Sequence, residues 1–227
     1  MSAASALHHV QAEIDAAARA AGRSGVRLLA VSKTRPAADV AALAALGQRA
    51  FGENYVQEAQ GKIEALAGAA LEWHLIGHLQ SNKADVAARL FDWVQTVDRP
   101  KLVGALARHR PEARPPLNVL VQVNVDDEAS KSGCAPQDVD ALAAAIAAEP
   151  RLRLRGLMAI PAPWPEEAPR RAAFRHMKAL FDALAARHPG VDTLSMGMSA
   201  DFPLAIAEGA TMVRVGTALF GARPPRP

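Results

Sequence analysis

The stretch RLLAVSKTRPAADVAALAALG, residues 27–47, contains the unit from which the whole chain is built. Leu28 to Ser32 form a short apolar run, Lys33 interrupts it, Pro36 prevents its continuation, and an alanine- and leucine-rich segment runs on to Gly47. A run apolar at nearly every position predicts a strand covered on both faces, as in a parallel sheet, and the segment after it reads as a helix closed by glycine. Similar strand-like runs recur at 50–54 (AFGEN), 72–77 (EWHLIG), 93–98 (WVQTVD), 118–125 (NVLVQVNV), 154–160 (LRGLMAI), 193–199 (TLSMGMS) and 211–217 (TMVRVGT). Helical segments such as YVQEAQGKIEALAG, SNKADVAARLF and PQDVDALAAAIAAEP separate them. Eight strand–helix units in 227 residues suit a closed (β/α)8 barrel, whose lower size limit is about 200 residues. A doubly wound open sheet is expected to begin with a GxGxxG turn, which is absent from the chain. No linker rich in Ser, Gly or Pro divides the sequence, so residues 1–227 are expected to form one domain. Residues 1–24 are read as an extra N-terminal helix packed on the barrel, and residues 222–227 (ARPPRP) as a disordered tail.

Composition narrows the function classes. Half the residues are apolar, yet no run of about 18 apolar residues exists to span a membrane. The N-terminus carries Glu13 and Asp15 and lacks the basic start and apolar block of a secretory signal. A single cysteine, Cys134, excludes an internal disulfide and fits a reducing cytoplasm; with no base near it in sequence, a spectator thiol is the default. The net charge of +3 raises the question of nucleic acid, but acidic residues nearly balance the basic ones, and only RLRLR (151–155) and the C-terminal tail cluster. Aromatic residues, the stacking platforms of single-strand binders, make up 4% of the chain. Nucleic-acid binding is therefore set aside.

Barrels of this type place their chemistry where the C-terminal ends of the strands meet. Lys33 stands there, with Glu53-Asn54, Gly77-His78, Asp98, Asn124, Ile160, Ser199 and Gly216-Thr217. An ordinary lysine, with a pKa of about 10.4, is a poor nucleophile. Desolvation at the mouth, or a nearby cation such as Arg214, would lower that value and free the amine to form a Schiff base. The alternative is a solvated lysine at a strand end. Ser199 and Gly216-Thr217 end the last two strands, each followed by a helical segment, and adjacent helix N-termini at this position make the usual barrel phosphate site. Plain N-capping and an ordinary turn remain open as the other reading. Alternation along the last strand turns Met212, Arg214 and Gly216 inward and Val213 and Val215 outward. Either a ligand ring nitrogen or an internal ion pair could satisfy such an arginine.

Metal binding is not expected. His74 and His78 are spaced HxxxH but lie on a strand running into a glycine turn, so their rings would not share a helix face. Lys131, in the loop SKSGC, is read either as an anion contact at the mouth or as a solvated loop lysine.

Taken together, AVSKT around Lys33, FGENYVQE (51–58), WHLIGHLQSNK (73–83), VQTVDR (94–99), NVLVQVNVDDEASKSG (118–133), LRGLMAIP (154–161), LSMGMSADF (194–202) and MVRVGTALFGAR (212–223) resemble the pyridoxal phosphate homeostasis proteins. These were formerly called proline synthetase co-transcribed homologues, and their fold is similar to the N-terminal barrel of alanine racemase. The resemblance implies that Lys33 holds pyridoxal 5′-phosphate as a Schiff base. It further implies that Ser199, Gly216 and Thr217 take the phosphate, that Arg214 faces the pyridine nitrogen, and that Asn54 and Met158 lie beside the ring. His78 departs from the family, where proline is often found. The function implied is intracellular homeostasis of the cofactor by a monomer, which binds it and delivers it to apo enzymes dependent on pyridoxal phosphate.

Catalysis is the alternative, as an amino-acid racemase or another weak pyridoxal phosphate enzyme. An arginine at the pyridine nitrogen disfavours its protonation and weakens the ring as an electron sink. The resemblance to alanine racemase implies a tyrosine from a second domain as the further acid/base group. The one tyrosine here, Tyr55, opens a helix and is not cast in that role, whereas His78 is the best substitute. A sugar-binding barrel with an aldolase-type lysine is a third reading, which gives Arg214 no task. No catalytic residue is therefore assigned.

Overall fold

The computed structural model describes residues 2–126 and 132–221; Lys131 and the 222–227 tail lie outside the described residues. The first helix, α1 (Ala3–Ala20), is capped by the Ser2 side chain, which accepts from the Ser5 amide, and it buries Leu7, Val10, Ile14 and Ala18 along one face. Eight strand–helix units follow. They are β1 (Arg27–Val31) and α2 (Ala37–Ala45), β2 (Ala50–Glu53) and α3 (Val56–Ala65), and β3 (Glu72–Leu75) and α4 (Ala84–Leu90). Next come β4 (Trp93–Val97) and α5 (Pro100–His109), β5 (Leu117–Gln122) and α6 (Val139–Ala147), and β6 (Leu152–Met158) and α7 (Glu167–Arg187). The last two are β7 (Thr193–Met198) with α8 (Phe202–Ala207), and β8 (Met212–Val215) with α9 (Thr217–Phe220).

Each strand pairs in parallel with the next, and β8 closes on β1 with Leu29 opposite Arg214. This is the eight-stranded barrel expected from the repeating unit, and α1 packs on the outside against α8 and α9. The strands end one to three residues earlier than the apolar runs suggested, although Ser32, Ile76, Val123 and Ala159 just beyond them still donate to a neighbouring strand. RLRLR is a strand segment, not a basic patch: Leu152 and Leu154 are buried, and Arg155 donates to Asp192 and to Asn118 Oδ1.

Alternation divides the side chains into two sets. The outward set (Phe51, Leu75, Val94, Val119, Leu157, Leu194, Val213 and Val215 among it) forms the main core beneath the helices. The inward set is smaller and mixed. Leu29, Ala50, Ile76 and Met212 form one apolar cluster, Trp93, Leu120 and Met158 another, and the polar side chains of His74, Gln95, Ser195 and Arg214 run between them. At Gly156 the φ of 145° and a register shift against β5 mark a bulge, and a Cβ there would stand 1.9 Å from the Thr193 carbonyl oxygen. Only glycine fits that approach.

Candidate binding site at the barrel mouth

A cavity of about 290 Å³ opens at the C-terminal end of the barrel, lined by Lys33, Asn54, Ser199, Arg214, Gly216 and Thr217. Ligand clefts of small molecules begin at about this size. Six of the seven expected site residues therefore meet in one place. The seventh, Met158, does not line the cavity: it is fully buried with Trp93 and Leu120, and Ile160, two residues further on, reaches the lining instead.

The local structure explains how Lys33 is presented. After Val31 the chain leaves the ladder at Ser32, whose amide still donates to the Gly52 carbonyl at 3.0 Å. Thr34 then adopts φ 63°, a left-handed conformation uncommon for a β-branched residue. Its amide donates to Glu58 Oε1, and the Arg35 amide closes a tight turn on the Ser32 carbonyl at 3.1 Å. Beneath this turn lies a buried ion cluster. Lys62 Nζ donates to the Ser32 carbonyl (2.7 Å), Glu53 Oε1 (2.8 Å) and Glu58 Oε1 (2.7 Å), while the Ser32 hydroxyl also donates to Glu53 Oε1. Burial holds the Glu53 carboxyl above the usual carboxylate range, and the bonds from Lys62 and Ser32 oppose that shift.

Across the cavity, Gly216 N-caps α9 and Thr217 begins it, as the sequence suggests. Ser199 differs from expectation. It does not cap α8, which starts three residues later with Asp201 at the cap position; instead Ser199 and Ala200 form a turn at the cavity wall. Asp201 Oδ1 accepts from the Met198 amide at 2.7 Å and fixes that turn. An added Cβ on Gly216 would lie 3.2 Å from the Val31 carbonyl oxygen, so this glycine also allows β8 and β1 to close tightly. Asn54 is held by a similar fit. A Cβ on Gly77 would come within 2.1 Å of the Asn54 carbonyl oxygen, so the glycine after β3 lets the Asn54 backbone pass.

Arg214 is almost wholly buried and forms no ion pair with any of the described residues. Its Nη1 donates to Ser195 Oγ and its Nη2 to the Ala159 carbonyl, both at 2.8 Å. Burial lowers its pKa to about 10, still well above neutrality, so the group stays a cation and a donor. The ion-pair alternative is thus replaced by neutral acceptors.

Sequence reasoning missed Arg35, Ile76, Met198 and Phe220 in the lining. Arg35 follows the left-handed Thr34 and the tight turn closed by its own amide, a local geometry that the apolar pattern does not signal. Its Nη2 donates to the Gly221 carbonyl at 2.6 Å. No His, Cys, Tyr, Asp or Glu is among the described lining residues. His78 stands outside the cavity with its Nδ1 3.1 Å from Ser132 Oγ, and Tyr55 is exposed. Cys134 is buried and its thiol is pushed up to about 12, which leaves it unreactive. Among the described residues no cluster of three or more metal-ligating side chains occurs, and no helix is long and apolar enough to cross a membrane.

Comparison with known proteins gives concordant relatives. A family model described as the N-terminal domain of alanine racemase matches residues 6–224. The chain is 57% identical over 216 residues to the pyridoxal phosphate homeostasis protein of Pseudomonas aeruginosa, covering 94% of this chain and 93% of that one. It is 53% identical over 222 residues to the protein of the same name from Escherichia coli K12, covering 96% and 95%. Among solved structures, PipY of Synechococcus elongatus with PLP bound superposes with a TM-score of 0.84 at 38% identity, covering 97% of this chain and all of that one. Alanine racemase from Corynebacterium glutamicum shares the fold, with a TM-score of 0.68 at 23% identity, and this chain spans 62% of its length.

Proposed function

The chain belongs to the pyridoxal phosphate homeostasis proteins, within the alanine racemase N-terminal domain family, and on that premise we propose that its cavity binds pyridoxal 5′-phosphate covalently on Lys33 and that the protein releases it to apo enzymes in the cytoplasm. The observation that carries this reading is the single cavity that brings Lys33, Arg214 and the two turns at Ser199-Ala200 and Gly216-Thr217 together.

The residues fit the group. When bound, pyridoxal phosphate supplies an aldehyde that can be held reversibly and a ring that can draw electrons from an attached amine. Lys33 would add through its amine to the aldehyde carbon, with loss of one water. The turns at Ser199-Ala200 and Gly216-Thr217 would hold the phosphate through their hydroxyls and backbone amides. Arg214 would face the ring nitrogen as a permanent donor and keep a proton off it, which weakens electron withdrawal. Asn54 would bound the ring edge. The phosphate reading predicts that Ser199→Ala and Thr217→Ala each weaken affinity roughly tenfold or more, the usual cost of a lost bond to a charged group. Fluorescence titration with the cofactor checks this, and unchanged affinity in both variants removes the anion site.

Storage and delivery are favoured over catalysis by the cavity lining. Racemisation needs two groups that exchange protons with the α-carbon, and Lys33 is the only such group among the described lining residues. Loaded protein is therefore expected to exchange the α-hydrogen of alanine for deuterium no faster than the free cofactor does. NMR in deuterium oxide reads the result, and a clear excess rate would make the protein a racemase-type enzyme. Transfer is tested by mixing loaded protein with an apo enzyme that depends on pyridoxal phosphate. Recovery of activity faster than by free diffusion, measured with a scavenger of free cofactor present, supports delivery; complete suppression by the scavenger contradicts it.

A further inference from the structure

Below the cavity, a line of polar side chains crosses the whole barrel interior. Arg214 Nη1 meets Ser195 Oγ at 2.8 Å, Ser195 Oγ meets Gln95 Oε1 at 2.7 Å, and Gln95 Nε2 meets His74 Nδ1 at 2.9 Å. His74 Nε2 then meets Glu72 Oε1 at 2.7 Å, and the same carboxylate oxygen accepts from Arg27 Nη2 at 2.6 Å near the opposite end. Ser195, Gln95 and His74 are fully buried. Polar groups at three inward positions of apolar strands are costly unless every bond is made.

The two ends fix the direction of every bond. A guanidinium only donates, so Ser195 accepts from Arg214 and its own hydrogen goes to Gln95 Oε1. The Gln95 amide nitrogen must then face His74 Nδ1, which accepts, leaving the hydrogen on Nε2. A carboxylate only accepts, so Glu72 demands the same arrangement from the other end. The second Gln95 amide hydrogen is also used, on Met212 Sδ at 3.3 Å. Burial lowers the pKa of His74, consistent with a neutral ring, and the charged groups acting on it are Glu72, Arg27 and Asp92. The ring stacks on Trp93 at 5.1 Å, and Arg155 lies over the Trp93 ring at 4.7 Å. The line is not a proton relay, because an amide and a guanidinium do not pass protons on at neutral pH.

We propose that Ser195, Gln95 and His74 are positioning residues for Arg214: they form a one-directional hydrogen-bond chain that ties its guanidinium to the Glu72 carboxylate and fixes it as a donor toward the cavity. Aligned bonds in a buried row polarise one another, so the far carboxylate strengthens the hold on a long side chain that would otherwise sample several rotamers. The effect on bound cofactor rests on the pyridoxal phosphate reading, whereas the chain itself does not.

The test has two arms. In the cofactor-free protein, NMR of the His74 ring nitrogens is expected to show one neutral tautomer, protonated on Nε2, unchanged from pH 5.5 to 8. The Arg214 guanidinium hydrogens should exchange slowly with water, and at least tenfold faster in Gln95→Leu or Ser195→Ala. With cofactor labelled by nitrogen-15 in its ring, the ring resonance of the bound form should shift in both variants, and Ser195→Thr, which keeps the hydroxyl, should restore it. A His74 ring that titrates normally in the native protein overturns the proposal, and so does Arg214 exchange unaltered in both variants. Should the native protein retain no pyridoxal phosphate, the functional reading falls while the first arm still decides the chain. Two substitutions are used so that misfolding of one leaves the other to decide.

Discussion

Replacing Lys33 by alanine is expected to abolish borohydride-fixable pyridoxal phosphate while leaving the barrel folded. Lys33 lines the cavity and belongs to none of the apolar clusters, and substitutions of this kind usually change stability by no more than about 0.5 kcal/mol. The phosphate turns and Arg214 would remain, so weak noncovalent binding should persist, reduced by roughly a hundredfold or more once the covalent anchor is lost. Mass spectrometry of reduced, digested protein reads the outcome directly. The peptide carrying Lys33 should gain the mass of the reduced cofactor in the native protein, and no lysine should gain it in the variant. Lys62 is the nearby amine that could confuse the result, but its Nζ gives its hydrogens to three acceptors, Ser32 O, Glu53 and Glu58. An ammonium with all three donors engaged has no lone pair to offer an aldehyde. A variant lacking Lys33 that still carried a full complement of fixed cofactor would refute the assignment.

Much of this was legible in the sequence, and for a physical reason. A parallel strand covered on both faces needs apolar residues at nearly every position, so a polar residue at its C-terminal end is conspicuous. Lys33, Asn54, Ser199 and Thr217 stand out in that way, and all four line one cavity. Alternation was enough to turn Arg214 inward. The strand ends were less legible, because the apolar pattern continues beyond the last regularly paired residue into the segments that line the mouth. Ser199 was expected directly at a helix N-terminus, but Asp201 takes the cap position of α8 and Ser199 stands in the turn before it, a distinction the sequence does not show. Met158 illustrates a further limit. Met158 and Ile160 are two residues apart and so face the same way, and only the closed barrel shows that Met158 lies too deep, packed with Trp93 and Leu120, while Ile160 reaches the lining. The interior chain was within reach of the same alternation rule. Glu72 and His74 are two residues apart on one strand, and Gln95 and Ser195 are polar breaks in strands that are otherwise mostly apolar. Its partners come from four strands, however, so only the closed barrel shows that they meet.

The ion cluster beneath Lys33 was invisible for the same reason, and it supports the second large effect. Lys62→Met keeps the length of the side chain and removes its charge, leaving Glu53 buried with one oxygen, Oε2, that already has no partner among the described residues. Breaking one side of a buried pair costs about 3–5 kcal/mol, equivalent to a fall in melting temperature of roughly 6–20 °C for a chain of this size. Thr34 depends on the same cluster. Its left-handed backbone, worth about 1–2 kcal/mol of strain, is held by Glu58, and Glu58 is held by Lys62. Cofactor loading should therefore decline in the variant at temperatures where the barrel is still folded. The pH dependence has a definite sign. Burial raises the Glu53 pKa and Lys62 opposes the rise, so removing Lys62 lifts the folded-state value further above the unfolded one. A carboxyl shifted in that direction is most favourable to the folded state below its unfolded pKa and becomes a penalty as pH climbs through the folded value. The deficit of Lys62→Met is thus expected to be largest at pH 8 and to shrink toward pH 5, as urea unfolding curves at the two values would show. Adding Glu53→Leu removes the stranded charge and should recover much of the lost stability, since apolar replacement of both partners is often neutral. That double variant separates the two roles of the cluster: if stability returns while cofactor loading stays low, the ion pairs serve to shape the Ser32–Thr34 turn that presents Lys33, and a variant within about 1 kcal/mol of the native protein at pH 8 would deny them either part.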